Sequence, residues 1–373
     1  MLSPVILHPS ALQGQNKEDK TFFFAAVRIL LDLLDNGLLL VDERGIIIDK
    51  IVDSIRDWPE DFSDIGDSIL SELFNKQRIV QTQITESEFN TCKGQVCNNC
   101  LAIVNLNFHD VVIAEGQCYE CLSSSRSMLT SLNSKLTDLG SFLVSHSSIP
   151  RGFTIFNFHE SSNVNSEDQR DFTRLTFEEK ILKPIFTYAE SIKIVDKHIG
   201  RNAGLTSKKK IFKSYKTNIE WLLDFCINEV GRNDLELFEV CCGIKVKPFN
   251  ELSKKDLENI KKGIDELRDF ERSMQEIFPD FKLLIKLEDK LHDLPHDRYL
   301  ITNQVALFIG RGFELFADSD VLDDSTRHLK SGVTINKGDV IKNTEIGYCT
   351  DPYNIEKKLQ VWPEVEEFLR RYV

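Results

Sequence analysis

His296-Asp297-Arg298 stands directly ahead of an apolar stretch, Tyr299-Leu300-Ile301-Thr302, then a polar pair, Asn303-Gln304, a second apolar stretch, Val305 to Ile309, and Gly310-Arg311-Gly312. A His and an Arg at the mouth of such a hairpin, with a flexible Gly-Arg-Gly beside them, could grip one phosphate from several sides. Guanidinium forks match phosphate oxygens, and glycine lets backbone amides come close. The chemistry indicated is recognition or cleavage of a phosphodiester. The same residues would also suit an ordinary surface turn whose Arg is held in an ion pair.

A second set points to a metal. Nine cysteines occur, and five of them fall between residues 92 and 121. Cys97-x-x-Cys100 and Cys118-x-x-Cys121 are separated by 17 residues, a spacing at which two thiolate pairs surround one tetrahedral zinc ion. The intervening residues alternate (Ala102, Val104, Leu106, Phe108, then Val111 to Ala114), as a hairpin carrying the two knuckles should, which predicts a zinc ribbon over 92–123. Cys92 and His109 are spare donors. Four thiolates close the coordination shell, so this zinc would be structural rather than catalytic. Cys226, Cys241, Cys242 and Cys349 have no metal spacing and read as core thiols.

A third set is electrostatic. Lys208, Lys209, Lys210, Lys213 and Lys216 put five lysines into nine residues of a chain whose net charge is −13. Such a run is ordinarily a solvated face, but beside a phosphate site it could steer a polyanion. The overall charge excludes wholesale coating of nucleic acid or of an anionic membrane, so any such binding must be local.

The elements that must position these sets follow from composition and period. With 373 residues, 41% of them hydrophobic and 28% charged, the chain has the balance of a folded protein of two or three domains. The most apolar stretch, Phe22 to Val41, contains Arg28, Asp32, Asp35 and Asn36, against a bilayer span. No secretory signal is visible at the N-terminus, and a cytoplasmic protein is expected. The first part, 1–145, predicts a strand at Val5-Ile6-Leu7, a helix from Phe22, and a tight hairpin from Leu38–Asp42 through Glu43-Arg44-Gly45 to Ile46–Ile48. An acidic loop (Asp61, Asp64, Asp67), a helix over 68–75, a strand over 78–85 and a helix over 128–142 follow. A linker or mobile loop is expected over 146–175.

In 176–373, helices and strands alternate. A helix over 177–188, a strand over 191–195, a loop over 196–210, a helix over 215–229, a strand over 235–244, a helix over 254–277 and a strand over 281–286 lead to the hairpin. A C-terminal helix closes the chain. This pattern predicts a mixed, mainly parallel α/β sheet. Ligands of such sheets meet the carboxyl ends of strands, which makes Asp196-Lys197-His198-Ile199-Gly200-Arg201 the counterpart of the His-Asp-Arg motif.

On Ser191 to Asp196, the His296-Asp297-Arg298 hairpin, Ile309-Gly310-Arg311-Gly312 with its following aromatic, and Ile346-Gly347-Tyr348-Cys349, the segment 176–353 resembles the phospholipase D-like C-terminal domain of MIT-domain-containing proteins and its bacterial relatives. The resemblance implies a His nucleophile, a Lys on the phosphate and an orienting Asp in the pattern HxKxxxxD, two copies completing one active site. Here Arg298 stands in the Lys position, Asn303 in the Asp position, and one copy is recognisable; Lys197-His198 lacks the spacing. If His296 is catalytic, the leaving oxygen must be protonated by a second His, from His198, His292 or another subunit of a dimer. The N-terminal element order resembles PIN-like nucleases, which hold divalent metal through acidic residues. His8 occupies the position of their first Asp, and Glu86, Glu88 and Asp110 are candidates for the others.

The expectation that follows is a non-catalytic protein that binds a phosphate polymer, nucleic acid foremost. Arg298, Asn303, Arg311, His198, Arg201, Lys208, Lys209 and Lys210 would contact phosphate, and the zinc ribbon would dock other protein subunits. The family setting implies a bacterial antiviral defence component. The alternatives are a metal-independent phosphodiesterase or nuclease acting through His296 in a homodimer, and a module for anionic membrane lipid.

Overall fold

The computed structural model describes residues 2–7, 9–14, 16–82, 111–114, 128–130, 173–231, 235, 237–243, 251–280, 282–288, 298–310, 312–316, 326–339, 344, 346–349, 352 and 355. They fall into two compact units, Met1–Arg151 and Gly152–Val373. Among the described residues no helix is long and apolar enough to cross a membrane.

In the first unit, strands β1 (Ser3–Leu7), β2 (Gly37–Asp42), β3 (Ile79–Thr82), β4 (Val111–Ala114) and β5 (Met128–Thr130) form one parallel sheet in the order β3-β2-β1-β4-β5. Every residue of β2 is buried, as a central parallel strand covered on both faces requires. Helix α1 (Lys20–Asn36) starts where the Asp19 carboxylate accepts the Phe22 N–H, and its Phe23, Ala26, Ile29, Leu30 and Leu33 point into the core at helical spacing.

Several predictions of local structure are corrected here. Leu38 to Ile48 is a strand followed by a helix, α2 (Ile46–Arg56), and not a hairpin. The buried Asp42 carboxylate accepts the backbone N–H groups of Arg44, Ile46 and Ile47, and Gly45 takes a left-handed φ of 74° to enter the helix. Ile47, Ile51 and Ile55 then fall on one buried face. The acidic stretch Asp61, Asp64, Asp67 belongs to helix α3 (Glu60–Asn75) rather than to a loop. Met128 opens a strand rather than a helix, and Val111–Ala114 is an inner strand of the main sheet, hydrogen-bonded to β1 and β5, rather than an arm of a ribbon hairpin. Cys92, Cys97, Cys100, Cys118, Cys121, His8, Glu86, Glu88, His109 and Asp110 lie outside the described residues.

The second unit holds a six-stranded mixed sheet, order β13-β10-β9-β6-β7-β8, made of β6 (Ser191–Val195), β7 (Leu237–Gly243), β8 (Lys282–Glu288), β9 (Tyr299–Thr302), β10 (Ala306–Ile309) and β13 (Ile346–Cys349). Strands β6, β7 and β8 are parallel, whereas β9 returns antiparallel beside β6 with Tyr299 opposite Val195. A separate hairpin joins β11 (Thr326–His328) and β12 (Thr334–Asn336).

Four longer helical stretches and a 3-10 turn (Thr206–Lys208) belong to the described part of this unit. Helix α4 (Arg174–Phe177), a π-helical turn (Glu178–Leu182) and α5 (Lys183–Phe186) run on as one. Then come α6 (Lys197–Asn202), α7 (Lys209–Asp224) with a π-helical extension (Phe225–Glu229), and α8 (Lys254–Ile277), the last opened by a Ser253–Asp256 capping box. The expected loop over 196–210 is thus largely helical. Inside, the Arg174 guanidinium stacks on Trp221 and Phe316, 4.8 and 3.9 Å from the ring centres. The Trp221 indole donates to Glu178 at 2.6 Å, and Arg327 donates to both Glu178 oxygens. Cys226, Cys241 and Cys242 are buried thiols; burial pushes Cys242 up to about 12, which favours its protonated form.

Candidate functional site

The parallel strand β6 ends at Asp196, whose side chain is fully buried. One carboxylate oxygen accepts the His198 N–H at 2.8 Å and so starts α6; the other accepts the Phe313 N–H at 3.1 Å. The second contact is possible because Gly312 has a φ of 82° and no Cβ; a Cβ there would lie 2.2 Å from the Asp196 oxygen. One carboxylate thereby ties the end of β6 to the residues after the β9–β10 hairpin. Burial raises Asp196 to about 6, opposed by those two N–H groups and by the charges of Arg298 and Lys197.

Arg298 reaches the same edge because β9 runs against β6. Its carbonyl accepts the Ile309 N–H at 2.8 Å, and its guanidinium donates to the Gly310 carbonyl. Its Nε is buried, with no hydrogen-bond partner among the described residues. On the other side, α6 carries His198 and Arg201, and Asn202 Nδ2 donates back to the His198 carbonyl at 2.7 Å. Gly200 sits so close to the Gly243 carbonyl that an added Cβ would meet it at 2.2 Å, which seats α6 on the end of β7. Gly204, at φ 72°, donates its N–H to Glu266 of α8 and turns the chain towards Lys208 and α7.

These elements enclose an open cavity of about 380 Å³ lined by His198, Arg201, Asn202, Lys208, Ile211, Tyr215, Arg298 and Glu314. Arg201 and Lys208 are exposed, and neither has an ion-pair partner among the described residues. Helix α7 begins at this cavity with Lys208 at its cap position, no capping side chain and no acidic residue in its first turn. Lysines at a helix N-terminus oppose the helix dipole, at a cost of about 0.3–1 kcal/mol each. The same arrangement concentrates positive potential where an anion would bind.

Of the residues expected to contact phosphate, His198, Arg201, Lys208 and Arg298 therefore share one cavity. Lys209 and Lys210 are exposed on the first turn of α7, outside its lining. Asn303 sits at the opposite end of the hairpin, where its side-chain oxygen accepts the Glu190 N–H at 3.0 Å, away from Arg298. Arg311 and His296 lie outside the described residues. Sequence reasoning missed Asn202, Ile211, Tyr215 and Glu314, and gave Asp196 no role of its own. An Asp directly before a helix is a capping signal and could have disclosed it; Glu314 carries no such signal. Comparison with protein-family models, with curated proteins and with solved structures finds no match for this chain.

Proposed function

We propose that the second unit binds single-stranded nucleic acid without cleaving it, through phosphate contacts in the cavity at the end of β6. The observation that supports this reading is the convergence of His198, Arg201, Lys208 and Arg298, from three separate segments, on one open cavity of a chain that is otherwise strongly acidic. Two of these groups are guanidinium forks suited to phosphate oxygens, and the exposed Lys209, Lys210 and Lys213 extend the positive surface along α7. The first unit, with its proposed zinc held by Cys97, Cys100, Cys118 and Cys121, serves in this reading to dock protein partners.

The test is retention of labelled single- and double-stranded DNA and RNA, with EDTA present, over a series of salt concentrations. Each phosphate neutralised on a single strand contributes about −0.7 to the slope of log K against log salt. Arg201→Ala/Lys208→Ala should flatten that slope by about 1.4 and weaken binding, while Asn303→Ala should leave the slope unchanged. Cleavage that survives EDTA and disappears in His296→Ala would replace this reading with a metal-independent phosphodiesterase, for which His198 is at hand in the cavity wall. Absence of retention, with binding to anionic vesicles, would replace it with lipid recognition.

A further inference from the structure

The cavity carries more positive charge than one internal link of a nucleic acid strand can use. Among the described residues of its wall, Arg201, Lys208 and Arg298 are permanent cations and Glu314 is the one carboxylate, which leaves two net positive charges. Directly behind the wall, Asp196 interacts with both Arg298 and Lys197, Arg298 the more strongly, and including Asp196 and Lys197 together leaves that sum unchanged. The start of α7, with no capping side chain and no acidic residue in its first turn, adds partial positive charge from the helix dipole. Arg298 also keeps a buried Nε–H that no described residue satisfies. An internal phosphodiester brings a single negative charge to such a site. A phosphate monoester brings about 1.5–2 negative charges at neutral pH and three acceptor oxygens.

Size points the same way. At about 380 Å³ the space is at the small end of pockets that take small molecules, and it suits a single nucleotide rather than a continuous strand or a duplex. Outside it, Lys209, Lys213 and Lys216 follow one another at intervals of four and three residues, on one stripe of α7 about 10 Å long. Lys216 lies over the Phe212 ring, and Lys209 and Lys213 are exposed.

We propose that the cavity is a receptor for the terminal phosphate monoester of a nucleic acid strand, with the adjoining links lying along Lys209 and Lys213. This rests on the phosphate-binding reading above and narrows it from any link of the polymer to the strand end. Arg201 and Lys208 act on the end group, whereas the lysine stripe acts on the chain behind it.

The experiment compares one short single-stranded oligonucleotide in three forms, with a 5′-phosphate, with a 3′-phosphate and with hydroxyls at both ends. Vesicles bearing a phosphomonoester headgroup and vesicles of a neutral lipid form the other arm. One phosphorylated form should bind about tenfold tighter or more than the unphosphorylated one, the range expected for an added charge-assisted hydrogen bond. Arg201→Ala/Lys208→Ala should erase that ratio, while Lys209→Ala/Lys213→Ala should weaken all three forms equally and preserve it. Equal binding of the three forms to the native protein overturns the strand-end proposal and leaves nucleic-acid binding standing. A ratio that persists in Arg201→Ala/Lys208→Ala places the end group elsewhere and also overturns it. Retention of none of the oligonucleotides defeats both readings, and capture of the phosphomonoester vesicles alone assigns the cavity to a lipid headgroup.

Discussion

A carboxylate buried at the end of a parallel strand, with two backbone donors and an arginine around it, faces opposing demands. Desolvation favours the neutral acid, while the N–H groups of His198 and Phe313 and the charge of Arg298 favour the anion; for Asp196 desolvation prevails, and the group is raised from 3.8 to about 6. Between those values the folded protein keeps a proton that the unfolded chain has released, so this group adds stability as pH falls from above 6 towards 4. The gain is about 3 kcal/mol for two pH units. Burial raises Glu178 and Asp224 as well, so the native slope is a sum, and Asp196→Asn isolates the one group. Urea midpoints across this range should show native protein and variant differing by about 3 kcal/mol more at the acid end than at neutrality; a constant difference would refute the burial argument. At neutral pH the variant turns an amide donor towards an N–H, a loss of about 1–3 kcal/mol. Gly312→Ala tests the same junction sterically. Its Cβ would collide with the Asp196 oxygen at a φ that disfavours side chains, so a loss of about 2–4 kcal/mol is expected in chemical denaturation.

Elements came through the sequence unevenly, for identifiable reasons. The helix Lys254–Ile277 and the strand Ser191–Val195 were legible to the residue, because a sustained helical period with a capping box, and a short alternating run, leave little choice. Leu38 to Ile48 misled because Gly45 is a turn residue and three isoleucines favour strands; the deciding contact is the Asp42 carboxylate, which gathers three N–H groups from the following turn. Asp42→Ala would take the acceptor from those three donors, of which the Ile47 N–H is buried. It should lower the stability of the first unit by about 2 kcal/mol, visible as a shifted urea midpoint. The candidate site was partly legible for a similar reason. Which cationic segments meet follows from strand ends in a parallel sheet, a rule of topology, and it brought His198, Arg201 and Arg298 together. The rule carries no depth along a strand, so Asn303, at the other end of β9, was grouped with Arg298 through its position in a motif rather than its position in space.

For the molecule as a whole, two units with separate sheets separate the expected effects of metal and ligand. The proposed thiolate pairs flank β4 in sequence, and β4 is bonded on both sides, to β1 and β5. Zinc removal should therefore loosen the first sheet without touching the cavity of the second unit. One zinc per chain is expected by elemental analysis, lost in Cys97→Ser/Cys118→Ser. Chelation should lower the melting of the first unit while oligonucleotide retention at permissive temperature persists. Metal-free protein with unchanged melting would remove zinc from the account. Each unit also carries its own optical signal. Trp58, 5% exposed with its indole N–H on the Leu12 carbonyl, belongs to the first, and Trp221, wholly buried against Arg174, to the second. With Trp362 replaced by phenylalanine, Trp58→Phe or Trp221→Phe would leave one fluorophore in one unit. The red shift of its emission on denaturation would then date the opening of that unit alone, so that a comparison of the two variants tells by colour which unit chelation loosens.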